Sequence, residues 1–284
     1  MTINIGGVPE HFNFPFHYSI IEKAKSELGI ELNWTDYPGG TGAMCTDLRA
    51  EEIDIAIVLT EGIIADISKG NKAKIVHWYV ESPLVWGIHT SADSTINSEF
   101  DFANERYAIS RHGSGSHLMA YVDADNRGLK ISETDFVVIG NLNGAIQALT
   151  QHEADLFFWE KFTTKPYVDQ GILKRVGECP TPWPCFAIAV NENLLNTNKD
   201  LINKFLELIS RENASMKLIP NLVNMIATKY ELKLEDTQIW LDAVKWKCDT
   251  SNIDLSLISN VISTLQKLNI VTADLKAEDV VWES

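Results

Sequence analysis

Apolar and polar positions near the start of the chain switch between two periods. Ile3 to Val8 is a short apolar run that predicts a strand, and Gly6-Gly7 lets the backbone approach another group closely. Pro9 to Pro15 predicts a loop, since proline has no N–H to give. From Phe16 to Leu28 the spacing turns helical: Ile20, Ile21, Ala24 and Leu28 share one face, Glu22, Lys23 and Lys25 lie opposite, and Gly29 ends the element. Ile30 to Thr35 predicts a second strand, Pro38-Gly39-Gly40-Thr41-Gly42 a turn into a helix over 43–51, and Ile53 to Val58 a buried third strand. Strand, helix, strand, helix, strand argues for a mostly parallel sheet flanked by helices.

The order then recurs. Arg106 to Ser110 predicts a strand, Arg111-His112-Gly113-Ser114-Gly115-Ser116-His117 a glycine-rich turn, and Leu118 to Asp125 a helix. A strand over 136–139, a helix over 145–152 and a strand over 155–159 follow. Gly42-Ala43 and Gly144-Ala145 are 102 apart, Asp54 and Asp155 101, and Gly70 and Gly171 101. A near-constant offset implies two similar α/β lobes, each presenting loops at the carboxyl ends of its strands. Phe186 to Asn191 predicts a further strand. From Lys199 to about Asn269 the pattern is helical, with apolar faces Leu201/Phe205/Leu208/Ile209, Ile239/Trp240/Ala243/Val244 and Leu255/Ile258/Ile262/Leu265/Leu268. Leu84–Thr90 and Cys185–Val190 are the expected crossings. Residues 1–88 plus 186–284 then form lobe I, residues 89–185 form lobe II, and a ligand cleft lies between them.

Composition narrows the partners. The 284 residues carry 39 Asp+Glu against 24 Lys+Arg, a formal charge of −15, so neither nucleic acid nor an anionic membrane is an expected partner. At 45% hydrophobic residues the chain can build a core, and no apolar run is long enough for membrane insertion. Cys45, Cys179, Cys185 and Cys248 show no C-x-x-C spacing; unpaired thiols are the expectation, with a Cys179–Cys185 bond left open. Met1 to Val8 has no basic segment followed by an apolar stretch, which favours a cytoplasmic location. The alternative is a periplasmic or lipid-anchored protein whose signal segment is not in this chain.

Gly40-Thr41-Gly42-Ala43-Met44 before a helix, Leu48-Arg49-Ala50-Glu51-Glu52-Ile53-Asp54-Ile55-Ala56, the second-lobe stretch Ala148 to Asp155, and the tail Leu265 to Val271 with Asp279-Val280-Val281-Trp282 resemble the type-2 periplasmic-binding-protein fold. The resemblance is to its alkanesulfonate-, taurine-, nitrate- and thiamine-pyrimidine-binding branch. Val8-Pro9-Glu10-His11 and the Ser110 to His117 turn look most like an uncharacterised fungal and bacterial subgroup without an export signal. The resemblance implies two α/β lobes with mixed sheets, joined by a two-strand hinge and followed by a helical C-terminal segment, that close on a small polar ligand.

Candidate ligand groups follow from the turns. Gly40, Thr41 and Gly42, and Ser114, Gly115 and Ser116, stand at helix N-termini, where free N–H groups and the helix dipole favour an anion. Arg111 adds a charge suited to a carboxylate, sulfonate or phosphate. His11, Asn13, His117 and Asn141 lie on loops at strand ends, with His112 beside them. Glu61 and Glu160 follow buried strands at repeat-related places, where they would favour an amine or a protonated ring nitrogen. Trp86 and Trp159 are the expected aromatic platforms, Trp159 beside Glu160 for stacking on a planar ligand. No cofactor, metal site or catalytic residue is assigned. The expected function is binding of a small-molecule solute such as a sulfonate or thiamine-pyrimidine-like compound, with a membrane permease as partner if the protein is exported. The alternative is a cytosolic lyase or synthase of the menaquinone or thiamine type, in which a histidine or glutamate would act as acid or base.

Overall fold

In the computed structural model, which describes residues 1–98 and 102–282, the chain divides into two compact units. Unit 1 comprises Met1–Ser82 and Trp183–Ser284, and unit 2 comprises Pro83–Pro182.

Unit 1 begins with β1 (Thr2–Gly7), a 3-10 turn at His11–Asn13 and a π-helical turn at Phe16–Ile20 that runs into α1 (Ile21–Leu28). Gly29 closes α1 at φ 66°, in the left-handed region where a Cβ is costly. β2 (Glu31–Asp36), α2 (Thr41–Arg49), β3 (Ile55–Leu59), α3 (Thr60–Ile67) and β4 (Ala73–Val80) follow. The chain returns as β10 (Phe186–Asn191), and the sheet order is β2-β1-β3-β10-β4. β1 pairs parallel with β2 and β3, whereas β10 runs antiparallel to β3 and β4, so the sheet is mixed. Every residue of β3 and β10 is buried, the signature of strands covered on both faces.

Unit 2 repeats this plan with β5 (Val85–Ser91), β6 (Tyr107–Ile109), α4 (Gly115–Arg127), β7 (Phe136–Val138), α5 (Leu142–Thr150), β8 (Leu156–Glu160), α6 (Lys165–Asp169) and β9 (Leu173–Pro180). Its sheet order is β7-β6-β8-β5-β9, with β5 antiparallel to β8 and β9. An offset of 101 carries α2 onto α5 and β3 onto β8, residue for residue. It also carries the left-handed Glu51 (φ 61°) onto His152 (φ 57°) and Gly70 onto Gly171. Asp54 and Asp155 play one role: each carboxylate accepts a backbone N–H from the neighbouring parallel strand or the residue just before it, Asn4 in β1 (2.8 Å) and Arg106 before β6 (2.9 Å).

The segments expected to cross between lobes belong instead to the interiors of the sheets. β5 and β10 each pair on both edges, so burial and hydrogen bonding fix them within a unit. The chain changes unit at Ser82/Pro83 and Pro182/Trp183, next to prolines that cannot continue a ladder. Helices α2, α4 and α5 start two or three residues earlier than their apolar periodicity suggests. Their first turns hold Gly, Ser and Asn, which cap a helix without marking a hydrophobic face.

The C-terminal helices are α7 (Glu192–Thr197), α8 (Lys199–Met216), α9 (Leu222–Tyr230), α10 (Leu234–Ala243), α11 (Leu255–Lys267) and α12 (Ala277–Val280). On α10 the buried face is turned from the expected one. Trp240 and Leu241 are buried, while Ile239 is 58% exposed. Among the described residues no helix is long and apolar enough to cross a membrane, and no disulfide joins the cysteines.

Candidate functional site

In unit 1, the carboxyl ends of β1 and β3 and the first turns of α2 and α3 gather the chemistry. Gly40, at φ 67°, turns the chain into α2, which has no side-chain cap, so the N–H groups of Thr41 and Gly42 have no intrahelical partner. The Thr41 hydroxyl accepts the Leu59 N–H (3.0 Å), which ties α2 to the end of β3. Gly62 sits against the Thr41 methyl so closely that a Cβ there would lie 2.6 Å from it.

Glu61, in the first turn of α3, is fully buried. Its Oε2 accepts the indole N–H of Trp183 (2.8 Å), and its Oε1 is buried with no hydrogen-bond partner. Burial pushes its carboxyl up from 4.5 to about 7, against the smaller opposing effects of its backbone N–H and the indole.

Asn13 is buried on the end of β1. Its Nδ2 donates to the Val8 carbonyl (2.8 Å) and its Oδ1 has no partner. The close approach expected at Gly6-Gly7 is to aromatic rings: a Cβ on Gly7 would meet Trp34 at 2.5 Å and Asn13 at 2.7 Å, and one on Gly6 would meet Tyr37 at 2.7 Å. His11 is a core residue. It stacks on Phe12 and meets Trp240 edge-on at 4.3 Å, and burial holds its imidazole down to about 3, so it stays neutral.

In unit 2, the glycine-rich turn is held mainly by its own hydrogen bonds. Ser114 caps α4 by accepting the His117 N–H, Ser116 Oγ accepts the Ser110 N–H (3.0 Å), and the two hydroxyls are 3.0 Å apart. Both hydroxyls are engaged by the turn itself. The first-turn amides of Gly115 and Ser116 have no intrahelical partner. Arg111 is half-buried on the same turn, and its carbonyl accepts the Ser114 N–H (3.1 Å). Asn141 is exposed and caps α5 through Gly144 N–H (3.1 Å).

Glu160 ends β8, the middle strand, and is 4% exposed. Its Oε2 accepts the N–H of Phe162 (2.9 Å), the N–H of Thr163 (2.7 Å) and the Thr163 hydroxyl (2.9 Å). Burial outweighs these donors and pushes the carboxyl up to about 7. Trp86, buried on β5, is the cross-strand partner of Glu160, and its indole N–H is buried without an acceptor. Trp159 points to the other face, as strand alternation requires, and stacks on Phe157 at 5.2 Å. It packs on the α5 side of the core, so the stacking platform expected beside Glu160 is not Trp159.

Two features escaped the sequence. Glu61 and Glu160 are not repeat-equivalent: Glu160 is the last residue of β8, and Glu61 lies two residues beyond the end of β3. Trp183 as the partner of Glu61 had no local signal, because the two are 122 residues apart.

Each unit thus carries a buried Trp and Glu at the carboxyl end of its middle parallel strand. Residues 86–179 match the model of a family described as Ca3427-like PBP. A comparison with curated proteins gives no match. The Candida albicans CA3427 gene product is similar in structure at 25% identity, with a TM-score of 0.92 over 100% of this chain and 97% of that one. The alkanesulfonate-binding protein SsuA of Xanthomonas axonopodis pv. citri, bound to MOPS, matches at 12% identity and a TM-score of 0.83, over 100% of this chain and 98% of that one. The aliphatic sulphonate-binding protein SsuA of Escherichia coli matches at 16% identity and a TM-score of 0.75, covering 99% and 92%. Two mixed five-stranded sheets of identical order, with a helical C-terminal segment, give this chain the periplasmic-binding-protein fold.

Proposed function

We propose that the protein binds a small organic sulfonate, and that Glu61 takes part in binding as a neutral acid. The observation that carries this reading is Glu61 Oε1, a buried carboxyl oxygen with no hydrogen-bond partner. A buried carboxylate would repel an anion. A carboxyl pushed up to about 7 is substantially protonated at neutral pH and becomes a hydrogen-bond donor. In Glu61 the indole of Trp183 occupies Oε2, so the proton belongs on Oε1, the oxygen without a partner. In Glu160 three donors occupy Oε2, which leaves the proton to the other oxygen.

The uncapped first turn of α2 and the first turn of α4 add N–H groups of the polarity an anion needs. Arg111 supports the same preference. The amine expected from two glutamates is not required once both are neutral. The alkanesulfonate-binding relatives favour the same ligand class.

Isothermal titration calorimetry at pH 6 against butanesulfonate, MOPS, methylphosphonate and a pyrimidine tests the proposal. The expected result is one-site binding of the sulfonates, with the ligand recovered unchanged. Binding of the pyrimidine alone, or conversion of a ligand, overturns it.

A further inference from the structure

We propose that His112, His117 and Glu133 form a binding site for a divalent first-row cation, zinc being the best fit, on unit 2. One ligand atom from each of the three residues lies within 4.8 Å of the others. His112 Nδ1 is 3.0 Å from Glu133 Oε2, and His117 Nε2 is 3.7 Å from Glu133 Oε1. Ligands at about 2.0–2.1 Å from a tetrahedral zinc lie roughly 3.4 Å from one another; the two histidines approach different oxygens of the one carboxylate, and the 4.8 Å spread of the three ligand atoms closes to that value by rotation of the exposed His112 and Glu133 side chains. Two imidazoles and a carboxylate suit zinc better than calcium or magnesium, which prefer all-oxygen shells. Three protein ligands leave a fourth position for water.

The surroundings are built around the carboxylate. Tyr121 donates its hydroxyl to Glu133 Oε1 (2.9 Å), which orients a ligating group as outer-shell partners do. The His117 ring is buried and fixed edge-on against Phe136 at 4.4 Å and Tyr121 at 5.1 Å. His112 and Glu133 are exposed, so a cation can reach them from solvent.

The proton on His117 decides what binding costs. Gly113 donates its N–H to His117 Nδ1 (3.0 Å), which places the ring proton on Nε2, facing Glu133. A cation at Nε2 needs that proton moved to Nδ1, and therefore needs the Gly113 N–H turned away. The turn has the residue for this: Gly113 sits at φ 76°, and rotation of the 112–113 peptide carries it to a negative φ open to any residue. Metal binding is thereby coupled to the shape of the turn that starts α4. The same coupling makes Gly113→Ala, which disfavours the positive φ, a variant that binds the cation more tightly.

Titration of zinc chloride into the full chain without any sulfonate tests the site, so its outcome is independent of the sulfonate proposal. The expected result is one zinc per chain, with affinity falling at least about tenfold in His112→Gln and in Glu133→Gln. Cobalt(II) should give a d–d absorption spectrum in the wild type that Glu133→Gln abolishes. Tyr121→Phe, which keeps all three ligands, should weaken zinc binding without changing its stoichiometry. Equal zinc affinity in the wild type and in the His112→Gln/Glu133→Gln double variant, with unchanged far-UV circular dichroism, overturns the proposal. So does the absence of zinc binding by the wild type.

Discussion

Replacing Glu61 by glutamine should raise stability at alkaline pH and lower it by about 1–2 kcal/mol in acid. In the folded protein the carboxyl titrates near 7 rather than at its ordinary 4.5. Between these values the native state holds a proton that the unfolded chain has released, so stability falls as pH rises from 4.5 through 7. The rise corresponds to about 3 kcal/mol, at about 1.4 kcal/mol for each tenfold change in acidity. Glutamine never ionises and keeps an oxygen to accept the Trp183 indole N–H. It leaves one amide N–H₂ where Oε1 now lies without a partner, at a cost of about 1–2 kcal/mol. The difference between variant and wild type should therefore be unfavourable by about 1–2 kcal/mol at pH 4.5 and favourable by about 1–2 kcal/mol at pH 8. Urea unfolding followed by circular dichroism at pH 4.5, 6, 7 and 8 measures it, and the difference between the two proteins cancels every other titrating group. A difference independent of pH would refute the claim that Glu61 is buried as a neutral acid.

Other consequences can be measured in the same way. His11 is held neutral by burial, so the wild type should lose stability as pH falls from 6.5 towards 3, and His11→Phe should remove that part of the acid loss in urea titrations. Gly7→Ala drives a methyl into Trp34 and Asn13 and should cost about 1–3 kcal/mol, read as a lower thermal midpoint. Asp54→Ala removes the acceptor of the Asn4 N–H at the start of β1, and Asp155→Ala that of the Arg106 N–H. Each should cost about 1–3 kcal/mol in urea unfolding, a parallel that follows from their shared role in the repeat.

The offset of 101 was legible in the sequence because a duplicated lobe repeats its turns, and turns are spelled by Gly and Asp. The places of β5 and β10 were not. Each lies in the middle of a sheet whose other strands come from a distant stretch of chain, and no local pattern records an antiparallel pairing such as Ile57 with Ile188. Candidate residues were found by type and by nearness to strand ends, which selected Glu61, Glu160, Asn13 and Trp86. The same criteria also selected Asn141, which the structure shows capping α5, and Trp159, whose strand alternation turns it towards Phe157. Glu133 escaped because its partnership with His112 and His117 is made in space, 16 residues beyond the turn that carries them.

The most direct test of sulfonate binding through a neutral Glu61 is the affinity for butanesulfonate, whose own charge does not change with pH, measured by calorimetry at pH 6 and pH 8. If Glu61 must be protonated, with its carboxyl near 7, affinity should fall by about tenfold over that interval. In Glu61→Gln, where the proton requirement is gone, the fall should disappear. A pH-independent affinity in the wild type, or no binding at either pH, would contradict the account.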